Sequence, residues 1–219
     1  MKAYISPLGF DTSHILSLIV KYGIEAEDSI TLLMSNKIDE RAESAFSSVK
    51  EMIHKIDSRI SVDRIMLNND DFSGMIVSCI KAIKNASNEK PDTSVMVNLS
   101  GGPRELLVAL TIASVSNVPY ITKATCYSDV CRQLSQIELP YFTSPLQDRE
   151  LAVLRDIKMF GPTSISDVAT RLQISESSIS RYCTRLLLIG LIDLTAKGKR
   201  KFAKIKPCAE VVLATTQKE

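Results

Sequence analysis

Along residues 1–140 the apolar positions switch repeatedly between two periods. Residues 2–6, 29–34 (SITLLM), 61–67 and 93–99 are short, nearly continuous apolar runs of strand length. Between them the spacing becomes helical. A helix is expected over residues 12–22, and from Asp39 onward Ala42, Ala45, Phe46, Val49, Met52, Ile53 and Ile56 share one stripe. Asp70 or Asp71 is the expected cap of the next helix, whose inward positions read as Ile76, Cys79, Ile80 and Ile83. A helix over residues 104–115 follows the fourth strand. Residues 120–127 and 132–139 then read as a hairpin turning near Ser128 and Asp129. Strand–helix units joined by short connections predict an α/β fold, a Rossmann-like doubly wound parallel sheet with helices on both faces. Strands as uniformly apolar as SITLLM suit a sheet covered on both sides.

The pattern changes at LPYFTSPLQDRE, where Pro140 and Pro145 bracket a polar-aromatic stretch. The expected organisation is a sheet domain over 1–140, a linker over 141–147, a smaller α+β domain over 148–207 and a tail over 208–219. Leu151, Val153, Leu154 and Ile157 mark a helix that stops at Phe160-Gly161-Pro162. In TSISDVATRLQISESSISRYCTRLLLI, Thr163 or Ser164 caps a helix running to Leu172. Gln173-Ile174-Ser175 then breaks it before a second helix, the spacing of a helix-turn-helix. Ile179, Cys183, Leu186 and Leu187 are its expected inward stripe. Ser177, Ser178, Arg181, Tyr182 and Arg185 are expected on the outward face, with Ser175 at the start. Two short strands, 191–194 and 202–205, flank a basic tip of Lys197, Gly198, Lys199, Arg200 and Lys201. That is the layout of a β-wing carrying cations for backbone phosphates. A small structural bundle with a solvated charge run is the plainer alternative. The order of helix, break, Ser/Arg-faced helix and basic hairpin favours double-stranded DNA as partner, with a winged helix-turn-helix as reader.

Charge sharpens this division. The 219 residues carry a net charge of +2, but residues 1–144 hold 14 Lys and Arg against 17 Asp and Glu, and residues 145–207 hold 12 against 6. An acidic larger part joined to a basic smaller one is a pattern of nucleic-acid readers. Cys79, Cys126, Cys131, Cys183 and Cys208 are dispersed with no C-x-x-C pair, and His14 and His54 lie in different elements. Reduced thiols and no metal site are therefore expected. No secretory signal is read at the N-terminus, and the most apolar helical run, residues 106–115, is about half of what a membrane span needs. The expected location is cytoplasmic, with no membrane partner.

Two turns carry the candidate chemistry. The first is Ser6-Pro7-Leu8-Gly9-Phe10-Asp11-Thr12, after the first strand; the second is Asn98-Leu99-Ser100-Gly101-Gly102-Pro103-Arg104-Glu105, after the fourth. In an open parallel sheet, ligands sit outside the carboxyl ends of the strands. Gly101 and Gly102 admit a close backbone approach, Pro103 suits the first helical position, and the free N–H groups beyond it form an anion site to which Arg104 adds a clamp. The same residues would also make an unliganded strand-to-helix turn. Neither G-x-G-x-x-G, G-x-x-x-x-G-K-[ST] nor G-x-S-x-G occurs.

ISPLGFDTSHIL, then VNLSGGPRELLVAL in the fourth strand–helix unit, then a winged helix, resembles the CRISPR-associated Rossmann-fold (CARF) regulators over nearly the whole chain. The resemblance implies a homodimeric, ligand-responsive transcription regulator of a CRISPR-Cas locus. It also implies that cyclic oligoadenylate, commonly the tetra-adenylate, binds across the dimer two-fold as an effector, with no resident cofactor. The ligand contacts it implies are Leu8, Gly9, Phe10, Asp11, Thr12, Asn98, Ser100, Gly101, Gly102, Pro103, Arg104 and Glu105. An isologous dimer would share its two-fold with a cyclic ring and would hold two reading helices about 34 Å apart. The protein is expected not to be an enzyme. A slow ring-nuclease activity and a constitutive DNA-binding dimer are the alternatives.

Overall fold

The computed structural model describes residues 1–37, 39–140, 145–198 and 200–216. Two compact units divide the chain, Met1–Ile137 and Glu138–Glu219.

In the first unit, strands β1 (Lys2–Pro7), β2 (Ser29–Ser35), β3 (Ser61–Leu67), β4 (Ser94–Asn98), β5 (Lys123–Ser128) and β6 (Gln133–Ile137) form one sheet in the order β3-β2-β1-β4-β5-β6. The first five are parallel and β6 returns antiparallel on β5. Helices α1 (Ser13–Tyr22), α2 (Glu40–Ile56), α3 (Phe72–Asn88) and α4 (Arg104–Ser116) make the crossovers. Tyr4, Ile30, Leu32, Met34, Val62 and Met96 point to one face, where Ile15, Leu18, Ala45, Val49 and Ile53 of α1 and α2 cover them. The alternate positions Ala3, Ile5, Leu33, Val95 and Val97 are equally buried; α3 packs there on β1 and β4, and α4 on β1 and β2. Both faces are thus apolar, which is why the strands read as continuous runs and not as alternations. Asp71 caps α3 through Gly74 N, and the buried line of that helix is Met75, Cys79, Ala82, Ile83 and Ala86. It is therefore rotated from the expected Ile76–Ile80 line, both of which are only half-buried. Tyr120 falls in a 3₁₀ turn (Val118–Tyr120), because Pro119 cannot supply a ladder N–H, and β5 starts at Lys123.

The chain enters at the sheet centre, builds outward through β2 and β3, then returns to lay β4 on the other side of β1. The carboxyl ends of β1 and β4 therefore flank the point where the winding reverses. The turns after those two strands diverge to opposite faces and leave a crevice between them.

In the second unit, α5 (Asp148–Phe160), α6 (Ile165–Leu172), α7 (Glu176–Leu188) and α8 (Pro207–Thr215) pack on a small antiparallel sheet of β7 (Thr163–Ser164), β9 (Arg200–Ile205) and β8 (Ile192–Lys197). Leu154, Ile157, Val168, Ile179, Cys183, Leu186, Ile192 and Ala203 form its core. Ser164 caps α6 through Asp167 N and Ser175 caps α7 through Ser178 N. Between the two helices Gln173 takes the left-handed conformation (φ 54°). The architecture is a winged helix.

Candidate functional site

The crevice at the winding reversal opens into a cavity of about 680 Å³. Leu8, Gly9, Phe10, Asp11 and His14 line it from the first turn, Leu99 to Pro103 and Leu107 from the fourth. The two turns interlock. Gly101 and Gly102 both take positive φ (75° and 70°). A Cβ on Gly102 would stand 2.7 Å from the Pro7 Cβ, and one on Gly9 3.3 Å from the Gly102 Cα. Beneath Gly101 lies the buried His14 ring, whose Nε2 sits 2.9 Å from the Pro7 carbonyl oxygen. Pro103 occupies the cap position of α4 (φ −59°, ψ 142°) and not the first helical turn, and no side chain caps that helix. Its first N–H groups are therefore left for an outside acceptor, at the positive end of the helix dipole.

Four residues expected as ligand contacts lie outside the lining. Asn98 is fully buried. Its Nδ2 donates to Ser6 Oγ (3.2 Å) and its Oδ1 accepts from Thr125 Oγ1 (3.3 Å), so its side chain joins β1, β4 and β5. Arg104 and Glu105 are exposed on the first turn of α4, and Thr12 holds the N-cap position of α1 without a side-chain capping bond. Ser100 lines the cavity, its Oγ accepting the Tyr127 N–H (2.5 Å) and keeping its own O–H free to donate. Leu8 contributes through its backbone, its side chain being packed in the core.

Sequence reading missed the other wall. Ser35 ends β2 and Lys37, Asp39 and Ala42 follow it, while Cys126, Tyr127 and Asp129 close the far side from β5 and its turn. These strand ends flank β1 and β4, so the strand-end rule applied to all four central strands would have found them. The lining holds three carboxylates against one ammonium. Asp39 is engaged by Arg41 (2.9 Å), whose hydrogen bonds hold its pKa down at about 2. Asp11 is held low by the backbone and hydroxyl of Ser13. Lys37 pairs with Asp70 (3.0 Å). Asp129 has no hydrogen bond or ion pair among the described residues. Phe10 is 68 % exposed, with the Arg41 guanidinium 4.9 Å from its ring centre. Burial pushes the His14 pKa below its ordinary value, against the opposing pull of the Pro7 carbonyl, Asp11 and Asp129.

On the second unit, α7 presents Ser177, Arg181, Thr184 and Leu188 outward, with Ser175, Ser177 and Ser178 hydroxyls clustered at its N-terminus. Two expected DNA contacts are placed differently. Tyr182 is buried in the core, its phenol drawn below its ordinary pKa by Arg149 first and Arg181 second. Leu187, expected inward, is 40 % exposed in its stead. Arg185 is half-buried, its guanidinium 2.9 Å from the carboxylate of the buried Glu150. On the wing, Lys197, Gly198, Arg200 and Lys201 are exposed; Lys199 lies outside the described residues. Among the described residues no cluster of side chains could hold a metal ion, and no helix is long and apolar enough to cross a membrane.

Residues 2–121 match the family model of the Csa3 CRISPR-associated Rossmann-like domain, and residues 145–209 match the HVO_A0114 model. No curated protein matches the sequence. Among solved structures, the fold resembles Enterococcus italicus Csm6 bound to cyclic hexa-2′-fluoro-hexa-dAMP, at 17 % identity and a TM-score of 0.51, covering 73 % of this chain and 46 % of that one. The PcaV transcriptional regulator of Streptomyces coelicolor aligns with 32 % of this chain and 51 % of its own, at 21 % identity and a TM-score of 0.31. A MarR family protein of Bacillus stearothermophilus aligns with 33 % and 51 %, at 11 % identity and 0.30. The chain thus spans about half the length of each. With residues 2–121, more than half of the chain, matching the Csa3 Rossmann-like model, the chain belongs to the Csa3 family of CRISPR-associated Rossmann-like proteins.

Proposed function

We propose that the protein is a ligand-responsive, DNA-binding regulator of a CRISPR-Cas system, and that the cavity receives part of a cyclic oligoadenylate. The observation that carries this reading is the juxtaposition of an uncapped α4 N-terminus and the Gly101-Gly102 turn with an acidic, aromatic-edged cavity. Phosphates suit the first feature, because backbone N–H groups and the helix dipole favour anions. Nucleobases suit the second: Phe10 offers a face for stacking, and Asp129 an acceptor for an exocyclic amine. The cyclic nucleotide bound by Csm6 supports the ligand class. Each chain contributes one such cavity, and a dimer would present two of them to one ring about a shared axis. Ring binding that favours one arrangement of the protomers over another alters how two winged helices meet an operator.

Calorimetry with cyclic tri-, tetra- and hexa-adenylate tests the reading. We expect the tetramer to bind best, at one ring per two chains. Failure of all three rings to bind overturns it. We take the effector to be bound and not cleaved. Recovery of labelled tetra-adenylate intact after prolonged incubation is the matching result; linear products would make the protein a ring nuclease.

A further inference from the structure

His14 is one of only two histidines, and it sits where the two turns meet. Its residue is 1 % exposed. A carbonyl oxygen only accepts, so the contact with Pro7 requires the hydrogen to be on Nε2, which leaves Nδ1 bare in the neutral ring. Nδ1 has no hydrogen-bond partner among the described residues, although the ring belongs to the cavity lining. The Gly101 backbone packs directly on that ring. Two carboxylates face it, Asp11 from the turn before α1 and Asp129 from the β5–β6 turn. Lys37 and Asp39, from the β2–α2 connection, complete the charged lining.

We propose that His14 is a proton-linked positioning residue, such that a phosphate seated on the Gly101-Gly102 turn brings a solvent proton onto Nδ1. The proposal rests on the reading of this cavity as a phosphodiester site. An anion within a few ångströms of a desolvated imidazole favours its charged form, while an empty cavity favours the neutral one. The Nε2–H bond to Pro7 persists in both states, so the ring gains charge without releasing the turn that it braces. Protonation then reports occupancy, and linkage fixes the sign. Between the lower pKa of the free protein and the higher one of the complex, affinity falls tenfold for each unit rise in pH, and it is level outside that window.

The test is titration of the full-length protein with cyclic tetra-adenylate between pH 5 and 8.5, in buffers of contrasting ionisation heat. Wild type should take up close to one proton per chain at the centre of the window, with affinity declining as pH rises. His14→Gln keeps an amide that can donate to Pro7 but cannot titrate in this range; its proton uptake should vanish and its affinity should become independent of pH. His54→Gln, on the exposed side of α2, should behave as wild type. Binding by wild type without proton uptake, or uptake retained in His14→Gln, overturns the proposal alone. No binding at any pH overturns the ligand reading and the proposal with it.

Discussion

The His14 imidazole occupies the space that a side chain at Gly101 would need: a Cβ there would stand 2.5 Å from Nε2, 2.7 Å from Nδ1 and closer still to Cε1. Gly101 also holds a φ of 75°. Gly101→Ala should therefore cost about 2–4 kcal/mol of stability, combining left-handed strain with overpacking. Adding His14→Ala should relieve the second part, so that the double variant is about 1–2 kcal/mol more stable than the sum of the singles. Urea denaturation of the four proteins measures this. An aspartate at Gly101 would meet the same obstruction before its charge mattered, so it is a poor probe of anion binding.

The same burial predicts how the ligand-free protein responds to acid. His14 has its pKa lowered on folding, so the unfolded chain binds the proton more readily. Its stability contribution is complete above about pH 6.5, the unfolded value, and is lost as pH falls through the folded one. Urea midpoints followed from pH 7.5 to pH 5 should decline in wild type and decline less in His14→Gln.

Asn98→Ala should destabilise the sheet domain by about 1–3 kcal/mol, because Ser6 and Thr125 lose a buried partner across three strands. Ligand affinity of the folded fraction should be unchanged. A loss of affinity with no loss of stability would return Asn98 to the ligand contacts.

Asn98 also shows where sequence reading stops. Hydrophobic period and turn residues located every strand and helix around the cavity, because a sheet buried on both faces needs apolar runs and its crossovers need amphipathic helices. Those signals say nothing of which polar groups at the strand ends face one another. Asn98, one residue before the turn, is spent on Ser6 and Thr125, whereas Lys37 and Asp129 reach the cavity from turns that carry no glycine signature. On α7 the helical wheel separated Ile179, Cys183 and Leu186 from Ser177 and Arg181 correctly. It misassigned Tyr182 and Leu187, which lie at the boundary of the stripe, because an amphipathic phenol can bury its ring while its hydroxyl meets Arg149 and Arg181.

Arg181 and Arg185 should separate experimentally. Arg185 pairs with a carboxylate that is almost wholly buried and that also accepts the Gln147 N–H at the start of α5. Arg185→Ala should lower the stability of the second unit by about 1–3 kcal/mol, since it strands Glu150. Arg181 is exposed, so Arg181→Ala should leave the unfolding midpoint alone and weaken specific DNA binding by about 1–3 kcal/mol if it contacts a base. Thermal unfolding and operator titration on the same two variants distinguish the roles.

On the wing, strand alternation sends Arg200 and Lys201 to opposite faces of the β8–β9 hairpin, with Lys197 paired opposite Arg200. Lys201 shares its face with Ala203, which enters the core, while Arg200 shares the other with Phe202 and Lys204. A duplex lying along one face cannot meet both residues equally. Neutralising Lys197, Arg200 and Lys201 together should weaken binding to any sequence and flatten the log–log salt dependence by about 0.9 for each DNA phosphate that is no longer neutralised. Singly, Arg200→Ala and Lys201→Ala should differ, one carrying most of the change in slope. Fluorescence anisotropy between 50 and 200 mM salt, on operator and unrelated duplexes, gives both numbers. Equal slopes for wild type and the triple variant would mean that the hairpin cations stand clear of the DNA phosphates.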